Sequence, residues 1–188
     1  MPMDRGYIEN IEDRIVERAI DGLLDGMAPR PQVHFILEDQ SEPHVGYALT
    51  RPYYRGTDAH TAIAGLGRAA AALCVTQIVV LWEECDLRAS LVGPGDHPDS
   101  LVTVEATFDV HLLTSRPYRS VFGPPGRLGV PTVSPQWGRA SQHPDARLPG
   151  PIADLLTTWR TQLTLLDPGE ELRSMQASGY EFRWFVYE

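Results

Sequence analysis

The chain has 188 residues, 43% hydrophobic and 22% charged, with a formal net charge of −9. That is enough apolar material for one core, and the acidic balance weighs against a general nucleic-acid binder, which draws affinity from cations on phosphate. All 16 basic residues are arginine, which excludes a Schiff-base lysine, a lysine general base and a lysine-bearing phosphate loop.

No apolar run reaches the ~18 residues of a membrane helix. The opening "MPMDRGYIEN" has one arginine and no apolar core segment, unlike a secretory leader. Cys74 and Cys85 are too few for a disulfide framework. The expectation is a single domain over residues 1–188 in a reducing cytoplasm, without a membrane span.

Residues 8–27 place Ile8, Ile11, Ile15, Ala19 and Leu23 at helical spacing, and Gly26 and Pro29 close the helix. "PQVHFILE" (31–38) alternates as a strand, and "HVGYALTRPYY" (44–54) follows as a second one that ends at Pro52. A helix then starts near Thr57 or Asp58, either of which can cap it. Gly65 and Gly67 inside it imply close packing, expected against a sheet. "TQIVVLWE" is apolar on both faces, the pattern of a covered central strand. Strand, helix, strand in that order predicts a crossover between parallel strands.

"SLVTVEATFDVHLLT" reads as one long strand, with Val102, Val104, Ala106, Phe108, Val110 and Leu112 on one face and Glu105, Asp109 and His111 on the other. It should pair with strand 78–84, and Trp82 and Phe108 should share one core cluster. Residues 115–151 hold eight of the 16 prolines and show no periodicity, as expected of an irregular lid or assembly arm. The arm carries Arg116, Arg119, Arg127, Arg139 and Arg147 against only Asp145. A helix over 151–166 follows. Another begins at Asp167, whose cap, Pro168 and Glu170 make strong start chemistry. "YEFRWFVY" is a final strand. The fold class is α+β: a mixed five-stranded sheet with packed helices and a long Pro/Arg-rich irregular arm.

Three places could carry function. Ligands of open α/β sheets bind beyond the carboxyl ends of parallel strands. There one strand brings Tyr53, Tyr54, Arg55, Asp58 and His60, and the other brings Glu83, Glu84 and Asp86 beside Cys85. Arg55, Glu83, Glu84 and Asp86 are the catalytic candidates, and pairing of Arg55 with Glu83 or Glu84 is the structural reading. On the polar face of strand 101–113, which offers Glu105, Asp109 and His111, residues two apart, such as Asp109 and His111, lie roughly 6.5–7 Å apart. Asp109 and His111 could orient one another or share a metal. A metal enzyme needs three or four converging ligands, and no motif supplies them, so neither metal nor cofactor is expected. "HPD" at 97–99 and 143–145 is ordinary turn chemistry.

The third place pairs an acidic helix with the basic arm. Glu9, Asp13, Glu17, Asp21 and Asp25 repeat every four residues along the first helix, a spacing that costs about 0.2–0.5 kcal/mol per like-charge pair. Arg116, Arg119, Arg127 and Arg139, with Trp137 among the aromatic anchors, make the arm a match for that stripe. The functional expectation is a non-enzymatic interaction or assembly protein, homo-oligomeric or bound to another protein, using the arm and the acidic helix. The alternative is a hydrolase or transferase at the acidic strand ends. Nucleic acid held by the arm's arginines is a third and less favoured partner.

Overall fold

The computed structural model describes residues 5–125, 131–162 and 167–185. The chain opens with α1 (Arg5–Leu24), whose five periodic apolar residues are all buried. β1 (Gln32–Ile36) and β2 (His44–Leu49) follow, then α2 (Thr57–Ala64) and α3 (Leu66–Ala72) on either side of Gly65. β3 (Gln77–Glu83) is buried at every position. It runs directly into α4 (Glu84–Val92). β4 (Ser100–Ala106), β5 (His111–Pro125), β6 (Pro131–Trp137) and β7 (Ser141–Pro144) come next, before α5 (Gly150–Gln162), α6 (Pro168–Ala177) and β8 (Glu181–Trp184).

The α+β class stands, but the sheet is eight-stranded and antiparallel, not mixed and five-stranded. Its order is β6-β5-β4-β3-β1-β2-β8, with β7 pairing the edge of β5 that β4 leaves open. β2 and β3 do run in one direction, as strand–helix–strand order implies. β1 lies between them, however, and pairs antiparallel with both. The crossover leaves a gap one strand wide, and the preceding apolar strand fills it. β3 and β4 pair as the pattern implied.

Two further expectations are corrected. The alternating run 101–113 is two strands joined by a turn. Thr107 N donates to Val110 O at 3.0 Å, and the Thr107 hydroxyl accepts from the amides of Asp109 and Val110. A hydroxyl that takes over local amides competes with a strand ladder in this way. The turn carries Phe108 to the surface, 39% exposed against the Trp159 ring, while Trp82 is buried. The arm is not irregular either. β5 and β6 form a long two-stranded ribbon, and β7 continues the return strand toward the base. Half the amides of a ribbon point away from its partner, so prolines fit there without losing ladder bonds.

The sheet is covered on both faces. α1 lays Ile8, Ile11, Ile15 and Val16 on Ile36, Val79, Leu81 and Leu101. The opposite face (Val33, Phe35, Val80, Val102) carries α2, α3, α5 and α6, with Leu66, Ala70 and Trp159 at the contact. Gly67 serves close packing against helix α5 rather than the sheet: a Cβ there would strike the Leu155 carbonyl. No helix among the described residues is long and apolar enough to cross a membrane.

Candidate functional site

The acidic end of β3 is where a strand becomes a helix without a loop. Free amides at a helix start need acceptors, and Glu83 supplies one. Its carboxylate takes Asp86 N at 2.6 Å and Ser100 N at 3.2 Å, tying the start of α4 to the start of β4. Glu83 is only 3% exposed. Burial raises its pKa, against the pull of the backbone donors. Glu84 accepts the Trp82 indole N–H at 2.8 Å and Arg88 Nε at 2.6 Å. Burial also pushes the Cys85 thiol up, helped by the charges of Glu83 and Asp99, which disfavours a reactive thiolate.

The carboxyl end of β2 meets α4 through Gly56 N, which donates to Ser90 O at 2.8 Å. Tyr53, partly buried, hydrogen-bonds Ser90, and desolvation raises its pKa. The candidate edges are therefore brought together, but not by the expected ion pair. Arg55 is exposed and makes no ion pair among the described residues. Arg51, which the sequence did not single out, holds Asp58 at 2.5 Å. Asp58 also accepts Tyr54 N at 2.8 Å, and these bonds, Arg51's first, lower its pKa. So Asp58 organises the loop before α2 instead of capping the helix, whose cap is Gly56. Tyr54 is 85% exposed. His60 reaches across to Asp154 of α5 at 2.7 Å.

Between α4, the sheet and the 147–150 segment lies a cleft of about 610 Å³. Trp82, Leu87, Leu91 and Leu113 give it apolar walls, and Glu84, Arg88 and Arg147 are its charges. A Ser100–Ser115 hydroxyl pair at 2.8 Å sits in its wall.

Glu105 and His111 line a second cleft, of about 470 Å³, with Gln77 and Asp145. Gln77 Nε2 donates to Glu105 at 2.7 Å, and His111 Nε2 lies 2.8 Å from Ala146 O. Asp109 stays in the exposed turn, apart from both. Among the described residues no three acidic, histidine or cysteine side chains converge as metal ligands.

Glu9, Asp13, Glu17 and Asp21 face outward on α1. The arm docks through another acid, Glu12, which is 7% exposed. Arg116 Nη2 reaches Glu12 at 3.0 Å and Arg116 Nη1 reaches the Thr103 hydroxyl at 2.9 Å, while Thr103 itself donates to Glu12. Arg119 and Arg139 are exposed, and Arg127 lies outside the described residues. α1 also packs against β6. Tyr118 packs against Trp137 with ring centroids 5.2 Å apart and planes inclined at 51°. Its hydroxyl hydrogen-bonds Glu83, and burial and the nearby acids raise its pKa. Side chains alternate along a strand, so Tyr118, Phe122 and Trp137 share one face of the ribbon. Phe122 is 72% and Trp137 39% exposed. The sequence also passed over a buried histidine pair, His34 and His44, whose signal was a polar residue alternating with Ile36 on a strand face that α1 covers. Comparisons of the chain with protein-family models, with curated proteins and with solved structures gave no match.

Proposed function

We propose that the chain is a non-enzymatic interaction protein, cytoplasmic, that assembles with a second copy of itself through the aromatic face of the β5–β6 ribbon. The observation that carries this reading is Phe122, held 72% exposed on a paired strand. A ribbon braced by Arg116–Glu12 and Tyr118–Trp137 pre-orders that aromatic face, which lowers the entropic cost of binding, and buried aromatics supply most interface energy. Exposed Arg119 and Arg139 beside outward-facing Glu9, Asp13, Glu17 and Asp21 would steer and register two copies.

The hydrolase or transferase reading has less support, because Glu83, Glu84 and Asp58 each serve a cap, an ion pair or a loop amide. The cleft beside α4 favours a second, binding reading. Its apolar walls and two arginines suit an amphipathic anion. Light scattering on the full chain and on Phe122→Ser at low and high salt tests the assembly reading. A wild-type dimer that Phe122→Ser converts to a folded monomer supports it. A wild-type monomer at every concentration and salt, or a dimer indifferent to Phe122, overturns it.

A further inference from the structure

His34 lies on β1 beneath α1, 2% exposed, with its Nδ1 3.0 Å from Nε2 of His44. Its ring stacks on Tyr47, 4.8 Å between centroids. The other nitrogen, Nε2, is buried and has no hydrogen-bond partner. Such an atom is uncommon, since buried polar groups are nearly always paired. Cross-strand register shows where it points. His34 sits opposite Tyr47, with Gln32 opposite Leu49 at one end and Ile36 opposite His44 at the other. With Nδ1 turned to His44, Nε2 faces the Gln32–Leu49 end. There a cavity of about 250 Å³ opens under α1, lined by His34, Ile15, Arg18, Met27, Tyr47 and Leu49 among others. Arg18 is the one charged side chain that lines it.

We propose that this cavity binds a short-chain carboxylate, its oxygen accepting from His34 Nε2–H, its tail lying on Ile15, Met27 and Leu49, and its charge drawing the Arg18 guanidinium from the Phe185 ring, over which it rests at 5.1 Å. The proton arrangement is self-consistent. His44 Nε2–H donates to His34 Nδ1, which leaves the proton of neutral His34 on Nε2, toward the ligand. Both rings are neutral in the fold, so neither needs a counter-ion: burial first, then His44's proximity for His34 and Arg14 and Arg18 for His44, lowers both pKa values. The volume matches roughly eight waters at ~30 Å³ each, the heavy-atom count of hexanoate. A single cation and no carboxylate in the lining select an anion over a cation. This inference is independent of the ribbon.

The test is long-range proton–nitrogen NMR on the full chain with labelled histidine, titrated with hexanoate and with its neutral amide at matched pH and ionic strength. Hexanoate should move the His34 Nε2 signal saturably and bind roughly tenfold more tightly than hexanamide. Arg18→Gln, at an exposed position, should keep the fold and bring hexanoate down to the level of the amide. Ala19→Leu, which fills the cavity, should remove both responses; if that variant does not fold, the Arg18→Gln comparison decides alone. No saturable movement with hexanoate, equal binding of acid and amide, or hexanoate binding untouched by Arg18→Gln each overturns the proposal.

Discussion

Acidification from pH 7 to pH 5 will destabilise this fold through His34 and His44. Unfolded, each imidazole titrates near 6.5. Folded, burial and then Arg14 and Arg18 hold His44 at about 4, and burial and then His44 hold His34 well below its ordinary value. Both folded values lie below the unfolded one. Between them the unfolded chain binds more protons, so stability is complete above the unfolded value and is lost as pH falls toward 4. For His44 alone the loss at pH 5 is about 2 kcal/mol, from ~1.36 kcal/mol per unit over about 1.5 units. His34 adds in the same direction. Glu83, with a raised pKa, acts with the opposite sign and offsets part of the loss. Asp58 and Glu181, with lowered values, lose their contribution only as pH falls through the carboxylate range. The assay is urea unfolding of the wild type and of His44→Gln at both pH values. The wild type should lose at least about 2 kcal/mol and the variant distinctly less. A wild type equally stable or more stable at pH 5 would refute the claim that this pair is buried and neutral.

Other substitutions separate structural from peripheral roles in thermal or urea melts. Glu83→Ala should cost about 2 kcal/mol, since it removes a helix cap and strands the buried Ser100 amide. Glu84→Ala should cost about 1–3 kcal/mol, since it leaves the indole N–H of buried Trp82 without its acceptor, while Arg88→Ala, which removes only the partly solvated pair, should cost under about 1 kcal/mol. Phe108→Ala should cost about 1 kcal/mol, well short of the 3–5 kcal/mol expected for buried Trp159→Ala; equal losses would put Phe108 back in the core. Arg116→Ala leaves Glu12 buried without its cation and should cost about 3–5 kcal/mol, much of it recovered in the Glu12→Leu, Arg116→Met double variant. A double variant no better than the single would mean that Glu12 is solvated.

Local chemistry reads well from this sequence wherever one element settles it. The periodicity of α1 names the residues that are buried, and the apolar run of β3 marks a strand covered on both faces. Asp167 takes Glu170 N at 2.8 Å as its capping spacing implies. Short-range signals fail where two local solutions compete. The alternation from Val102 to Leu112 runs on in the sequence through the Thr107 turn, although the hairpin returns out of phase, with Leu113 opposite Val104 and Leu112 opposite Glu105. The prolines of 115–151 hide a ribbon, because proline is costly inside a sheet but not along a ribbon's open edge.

The acidic stretch at 83–86 shows the same division for the site. Its residue types and its place at a strand's end are legible in the sequence. Which carboxylate is a cap and which an ion pair is not, because the Ser100 amide, Arg88 and Arg51 arrive from other elements. Likewise, nothing local says that β1 enters between β2 and β3, that Glu12 rather than the outward acids receives Arg116, or that His34 faces His44 at one nitrogen and a cavity at the other. Sequence alone determined the helices other than α4, most strands and the uniform arginine chemistry, since these follow from side-chain period and composition along a few residues. The tertiary structure alone decided strand order, the partners of every buried charge and the position of each cavity, because these are set by contacts between residues tens of positions apart, whose energy no local pattern records.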